Sequence, residues 1–306
     1  MPADRPPDGN MPSNGDGPRR DHQGGGGPAE PRTRQEYYAD QQRANAEEQS
    51  GAAQPATAEE QAASEKWDGD AAESRWMWGE YLRKWPAGER PPVDTSTHVP
   101  GSWHGDRGRE LKPTDNVGVE AECGRIFDRE KGKISPALRA VESQDPNRHL
   151  IGLEHCRKGL DRIKEKVCDK MKEFVLPAEK ALSIVSDTVR YTFEYRESRY
   201  TQGVWAELGR LKNQGFELLG LKNSWSSDQY KGINSQWIDP DTGQRFEVQF
   251  HTRISFEAKE ITHKAYERLR THQADKFEQM VLEAFQSKVT AEVPVPHGAT
   301  DIPDYP

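Results

Sequence analysis

The first 81 residues contain no leucine, isoleucine, valine or phenylalanine. A segment without those side chains has little apolar surface to bury and cannot offset the entropy of being ordered. It is rich in Pro, Gly, Gln, Glu and Ala, with four consecutive glycines at 24–27. A disordered leader over residues 1–65 is therefore expected. Cysteine is also scarce, with Cys123, Cys156 and Cys168 forming no C-x-x-C pair. An odd number at those spacings supports neither a disulfide framework nor a zinc site and points to a reducing compartment. No apolar run approaches the length of a membrane helix or a signal-peptide core. A cytoplasmic protein with no membrane partner is expected, or one delivered as an effector without a cleaved signal. Positive charge is not in excess: 43 Lys and Arg stand against 51 Asp and Glu, a net −8. That disfavours a general nucleic-acid coat but leaves room for a local basic cluster around a phosphate. The chain has no strand-linked G-x-G-x-x-G and no G-x-x-x-x-G-K-[ST]. Any nucleotide is handled without a Rossmann turn or a P-loop.

What the chain does have starts with SRWMWGEYLRKW at 74–85. Trp78, Tyr81, Leu82 and Trp85 recur at helical spacing, which predicts a short aromatic helix ended by Pro86 within a segment 66–115 that is otherwise linker. Residues 116–142 read as helical with a break at Lys131-Gly132. From His149 to Leu176, Leu160, Ile163, Val167 and Met171 mark an apolar helix face. Beside it, Lys164, Cys168 and Lys172 share one stripe at i, i+4, i+8, while Lys166 and Lys170 read as surface. Strands are expected over 183–195, 216–225, 233–239 and 245–252, the last two joined by a turn at Pro240, Asp241 and Gly243. Helices are expected over 201–215, over 255–270 with Phe256, Ile261 and Tyr266 as core anchors, and over 275–289. The fold class is α/β (α+β): a mixed sheet of about four to five strands flanked by helices, forming a domain over 116–293 with a tail at 294–306.

In FEVQFH at 246–251, alternation sets Glu247, Gln249 and His251 opposite Phe246, Val248 and Phe250. Three further pieces accompany that strand: Arg162-Ile-Lys164 with Lys172, Asp187 followed by Arg190, and the loop Tyr230-Lys231-Gly232. Together they resemble the synthetase domain of the RelA/SpoT alarmone synthetases, especially the small and toxin-type members, over residues 150–272; HKAY at 263–266 is similar to the family's closing helix. The resemblance implies a nucleotidyltransferase-like fold and Mg²⁺-dependent transfer of pyrophosphate from ATP to the ribose 3′-hydroxyl of a nucleotide. It implies that Asp187 and Glu247 hold the metal and that Glu247 activates the hydroxyl. It implies that Arg162, Lys164 and Lys172 hold the triphosphate of ATP and that Tyr230 carries the acceptor base; Arg190, Lys222 and His263 are further candidates on ATP, and Lys231, Asn234, Gln249 and His251 on the acceptor.

Departures from the family pattern lie mainly on the acceptor side. Cys168 stands where many members have Ser, Val189 where they have Gly, Asn234 where they have His, and Phe250-His251 where Ile-Arg is usual. Guanosine, adenosine and a tRNA 3′ end stay open as acceptors. The absence of any His-Asp dipeptide argues against the hydrolase domain of the long alarmone enzymes. A lone synthetase invites control by an antitoxin or immunity protein. Two other classes stay open: a nucleotide-sensing module that has lost catalysis, and an ADP-ribosyl or other nucleotidyl transfer with Glu247 as catalytic acid.

Overall fold

The computed structural model describes residues 55–86, 99–270 and 274–305. The expected leader lies outside the described residues up to position 54, as does the linker over 87–98. Helix α1 runs Ala58–Lys84 and opens with a capping box: the Thr57 hydroxyl accepts from the Glu60 amide at 3.1 Å, and the Glu60 carboxylate accepts from the Thr57 amide at 2.8 Å. The boundary expected at residue 65 thus falls inside a helix of 27 residues.

A small antiparallel pair follows, β1 (Trp103–Gly105) and β2 (Arg109–Leu111), within the stretch read as linker. Helix α2 (Pro113–Arg129) continues through a wide π-type turn, Glu130–Ile134, into α3 (Ser135–Glu142), so the break falls where Lys131-Gly132 placed it. Next come β3 (Arg148–Ile151), α4 (Leu160–Phe174), α5 (Ala178–Ser183), β4 (Arg190–Tyr195) and α6 (Tyr200–Asn213). The chain ends with β5 (Glu217–Asn223), β6 (Ile233–Asp239), β7 (Gln244–Thr252), α7 (Arg253–Arg270) and α8 (Lys276–Ala291). Strand β3 was not expected; its four residues are too few to show a period, and antiparallel pairing with β4 is what defines it.

The main sheet has the order β3-β4-β7-β6-β5, with β4 and β7 parallel and the other neighbours antiparallel. It is the mixed, helix-flanked sheet of five strands that the pattern predicts. One face is aromatic and dry. Phe193 stacks on Phe250 with centroids 6.4 Å apart, Phe216 meets Phe246 edge-on at 4.8 Å, and Trp237 is buried beside them. Helix α6 covers this face, while α7 packs over β4 and β7, backed by α8 and α1. The tail does not hang free: Tyr305 pairs with Leu221 in both directions, at 2.8 and 2.9 Å, and so covers part of the edge strand β5. Among the described residues no helix is long and apolar enough to cross a membrane.

Candidate active site

The polar face of the sheet is assembled by register. Arg190 on β4 lies opposite Glu247 on β7; Gln249 on β7 lies opposite Asn234 on β6, which in turn lies opposite Lys222 on β5. Because side chains alternate along each strand, these residues project from one side while the aromatic core projects from the other. Helix α7 leaves part of that side uncovered, and a cleft of about 660 Å³ opens there. Its remaining wall is α4, where Arg162, Glu165, Lys166 and Asp169 follow i, i+3, i+4, i+7 spacing.

Asp187 enters from a short turn just ahead of β4. A strap of chain lies against that turn: the Lys158 amide donates to the Thr188 carbonyl at 3.0 Å, and the Arg190 amide donates to the Cys156 carbonyl at 2.7 Å. The strap brings Lys158 Nζ to 3.1 Å from the Asp187 carboxylate, and α4 brings Lys166 Nζ to 2.5 Å from it. Burial opposes charge on Asp187, but the two ammonium groups outweigh it and hold the carboxyl below its ordinary value. Glu247 is displaced the other way: burial first, and then the Asp187 charge, raise it. Two neighbouring acids driven apart in this manner divide the labour, one fixed as an anion and the other able to take a proton.

Glu247 is also aimed. The Gln249 side-chain Nε2 donates to Glu247 Oε1 at 2.8 Å, and Lys259 Nζ of α7 donates to Gln249 Oε1 at 3.1 Å. Burial, reinforced by the Arg190 charge, lowers Lys259 to about 8. At the acceptor end, the Tyr230 hydroxyl donates to Asn234 Oδ1 at 2.8 Å and meets His251 Nε2 at 2.8 Å. Gly232 makes that contact possible: its φ is +148°, and a Cβ there would lie 2.7 Å from the His251 ring.

Of the residues singled out in the sequence, the cleft gathers Asp187, Glu247, Arg162, Arg190, Lys222, His263, Tyr230, Asn234 and Gln249. It does not gather four. Lys164 is buried on the packed side of α4 between Ile163 and Val167, with its Nζ 2.5 Å from Glu120. Cys168 on the same stripe donates to the Glu110 carbonyl of β2, so the stripe faces the small strand pair, and Lys172 is exposed beyond the cleft. Lys231 turns back to donate to the Trp225 carbonyl at 2.8 Å. His251 is fully buried beneath Tyr230, held on its other nitrogen by the Ser255 hydroxyl at 2.9 Å, and props the ring rather than lining the cleft.

Among the cleft residues that were not expected are Arg157, Lys158, Lys166, Lys259 and Tyr266. Lys166, read as surface, is the i+4 neighbour of Arg162, and that spacing was the available signal. Tyr266, read as a core anchor, is 51% exposed at the cleft because α7 turns Ile254, Ala258, Thr262 and Ala265 inward instead.

No protein-family model matches the chain, and no curated protein matches it. Among solved structures, a GTP pyrophosphokinase family protein from Streptococcus pneumoniae is similar at 12% identity, covering 57% of this chain and 84% of its own, with a TM-score of 0.36. Small alarmone synthetase 1 from Bacillus subtilis, solved with its product pppGpp, is similar at 11% identity, covering 57% of this chain and 89% of its own, with a TM-score of 0.35.

Proposed function

We propose that the cleft transfers the terminal pyrophosphate of ATP to the ribose 3′-hydroxyl of a second nucleotide. The observation that carries this reading is the pairing of Asp187 and Glu247, displaced in opposite directions, inside one cleft whose lining has eight Lys and Arg against five Asp and Glu. Mg²⁺ takes one or two protein carboxylates and completes its shell with phosphate oxygens and water. Asp187 and Glu247 fit that demand, and among the described residues no cluster of three or more His, Cys, Asp or Glu forms an all-protein cage. When bound there, the ion supplies neutralisation of triphosphate charge.

Every other part of the chemistry belongs to the chain's own residues. Lys158 and Lys166, now on Asp187, and Arg157 and Arg162 at the cleft wall are the donors for the triphosphate oxygens. Tyr230 supports the acceptor base, with its hydroxyl fixed by Asn234 and its ring met edge-on by His251. Glu247, aimed by Gln249, takes the proton of the 3′-hydroxyl. The 3′-oxygen bonds to the β-phosphorus, the bond from that phosphorus to the α–β bridging oxygen breaks, and AMP leaves.

The test is AMP release from ATP and Mg²⁺ by the purified chain with GDP, GTP, ADP, ATP and tRNA offered separately. AMP forming in step with a pyrophosphorylated product is expected for at least one acceptor, and the productive one identifies the acceptor class. Tight nucleotide binding with no AMP from any of them would replace this reading with that of a nucleotide-sensing module.

A further inference from the structure

Glu130 lies outside residues 150–272, whose motifs carry the family resemblance, yet it holds Arg157, which lines the cleft. It occupies the first position of the π-type turn between α2 and α3 and is only 2% exposed. Interruptions of this kind within helices recur at functional positions. One carboxylate oxygen accepts from the Ser135 hydroxyl and from the Tyr191 hydroxyl, the latter at 3.1 Å. The other takes the Arg157 guanidinium in a fork, Nε at 2.6 Å and Nη2 at 2.5 Å. Arg157 also lies over the Phe127 ring, 5.3 Å from its centroid. Its side chain is 43% exposed, and it lines the cleft beside Lys158.

A buried carboxylate anchored by two hydroxyls and gripping an arginine that opens on a cleft is a pre-organised mount. An arginine left to itself samples many rotamers, and ordering it at the moment of binding weakens the ligand. We propose that Glu130 is a positioning residue that holds Arg157 toward the triphosphate, so that the turn between α2 and α3 is part of the phosphate site and not only packing. This inference rests on the pyrophosphate-transfer reading for its ligand, but triphosphate binding can be measured without turnover.

Full-length parent, Glu130→Gln, Arg157→Gln and the double variant are titrated calorimetrically with inorganic tripolyphosphate, and ATP kinetics are measured alongside. Glu130→Gln is expected to weaken tripolyphosphate by about 3- to 10-fold and to raise KM for ATP by a similar factor, with kcat within about twofold. In the Arg157→Gln background the same change should alter affinity by less than about twofold, because the group it positions is gone. Arg157→Lys keeps the charge but loses the fork, and should lose as much affinity as Arg157→Gln. Undiminished affinity in Glu130→Gln, an undiminished Glu130 effect without Arg157, or full affinity in Arg157→Lys would each overturn the proposal; the last holds even if Glu130→Gln does not fold. A parent that binds tripolyphosphate with these couplings but releases no AMP would remove the transfer reading and leave this one standing. A parent that does not bind tripolyphosphate removes both.

Discussion

Two charge networks are built on this sheet, and they are finished differently. Behind β3, Arg148 pairs with Asp145 at 2.9 Å and with Glu207 of α6 at 2.6 Å, donates to the Val141 carbonyl at 2.5 Å, and lies over the Phe193 ring. Arg210 closes the set at 3.6 Å from Glu207, and all four charged residues are buried. Across β4, Asp187 and Glu247 face Lys158, Lys166, Arg190 and Lys259 in a cleft open to water. The sealed network sets Arg148 and Arg210 against Asp145 and Glu207, all of them buried. The open one carries surplus positive charge next to acids pushed apart in their proton affinity. Charge alone does not mark a site; charge that is left uncompensated beside a space does.

The strongest test of that distinction is Glu247→Gln. On the pyrophosphate-transfer reading, losing this carboxylate should cost about 10²- to 10⁴-fold in turnover, read as AMP release. Stability should move the opposite way. Burial and Asp187 raise Glu247, so the folded chain holds that proton more tightly than the unfolded chain does. Ionised Glu247 therefore lowers stability as pH rises from the ordinary carboxylate value through the raised one. The glutamine variant is free of that penalty, so its Tm at pH 8 should equal or exceed the parent's, and the difference should shrink as pH falls. A clear drop in Tm at pH 8 would make Glu247 a framework residue. Next in size is Glu207→Ala in the sealed network, which leaves Arg148 charged in a dry core. It should lose about 3–5 kcal/mol in urea unfolding, with turnover per folded molecule unchanged. A loss under about 1 kcal/mol would mean that the sealed network holds little of the fold.

The sheet was readable because its signals are local and redundant. FEVQFH alternates, Pro240 and Gly243 punctuate the hairpin, and the two faces of β7 follow from period two alone. What escaped was long-range or sparse. The start of α1 is written in Thr57 and Glu60, but a helix without Leu, Ile, Val or Phe until Leu82 gives almost no apolar period, and its burial depends on Trp67 and Tyr81 meeting α7 and α8. Asp187 and Glu247 could be named from the resemblance. Lys158, which helps to set Asp187, could not, because it arrives through backbone pairing of the strap with the turn before β4. On α4 the sequence offers two basic stripes, and nothing local says which one packs; contact with β1 and β2 decides it.

Those stripes give the last and smallest test. Lys166 touches Asp187 inside the cleft, whereas Lys172 is exposed outside it. On the proposed reading Lys166→Ala removes a donor to the triphosphate, and it should raise KM for ATP by about tenfold, the size of one hydrogen bond to a charged group. Lys172→Ala removes a cation of the same charge ten positions from Arg162 but on the stripe that passes over Cys168. It should leave KM within about twofold and stability within about 0.5 kcal/mol. If the two variants weakened ATP equally, the ligand would have to lie across the Cys168 side of α4, and the open network on the sheet would no longer be the place where the surplus charge is used.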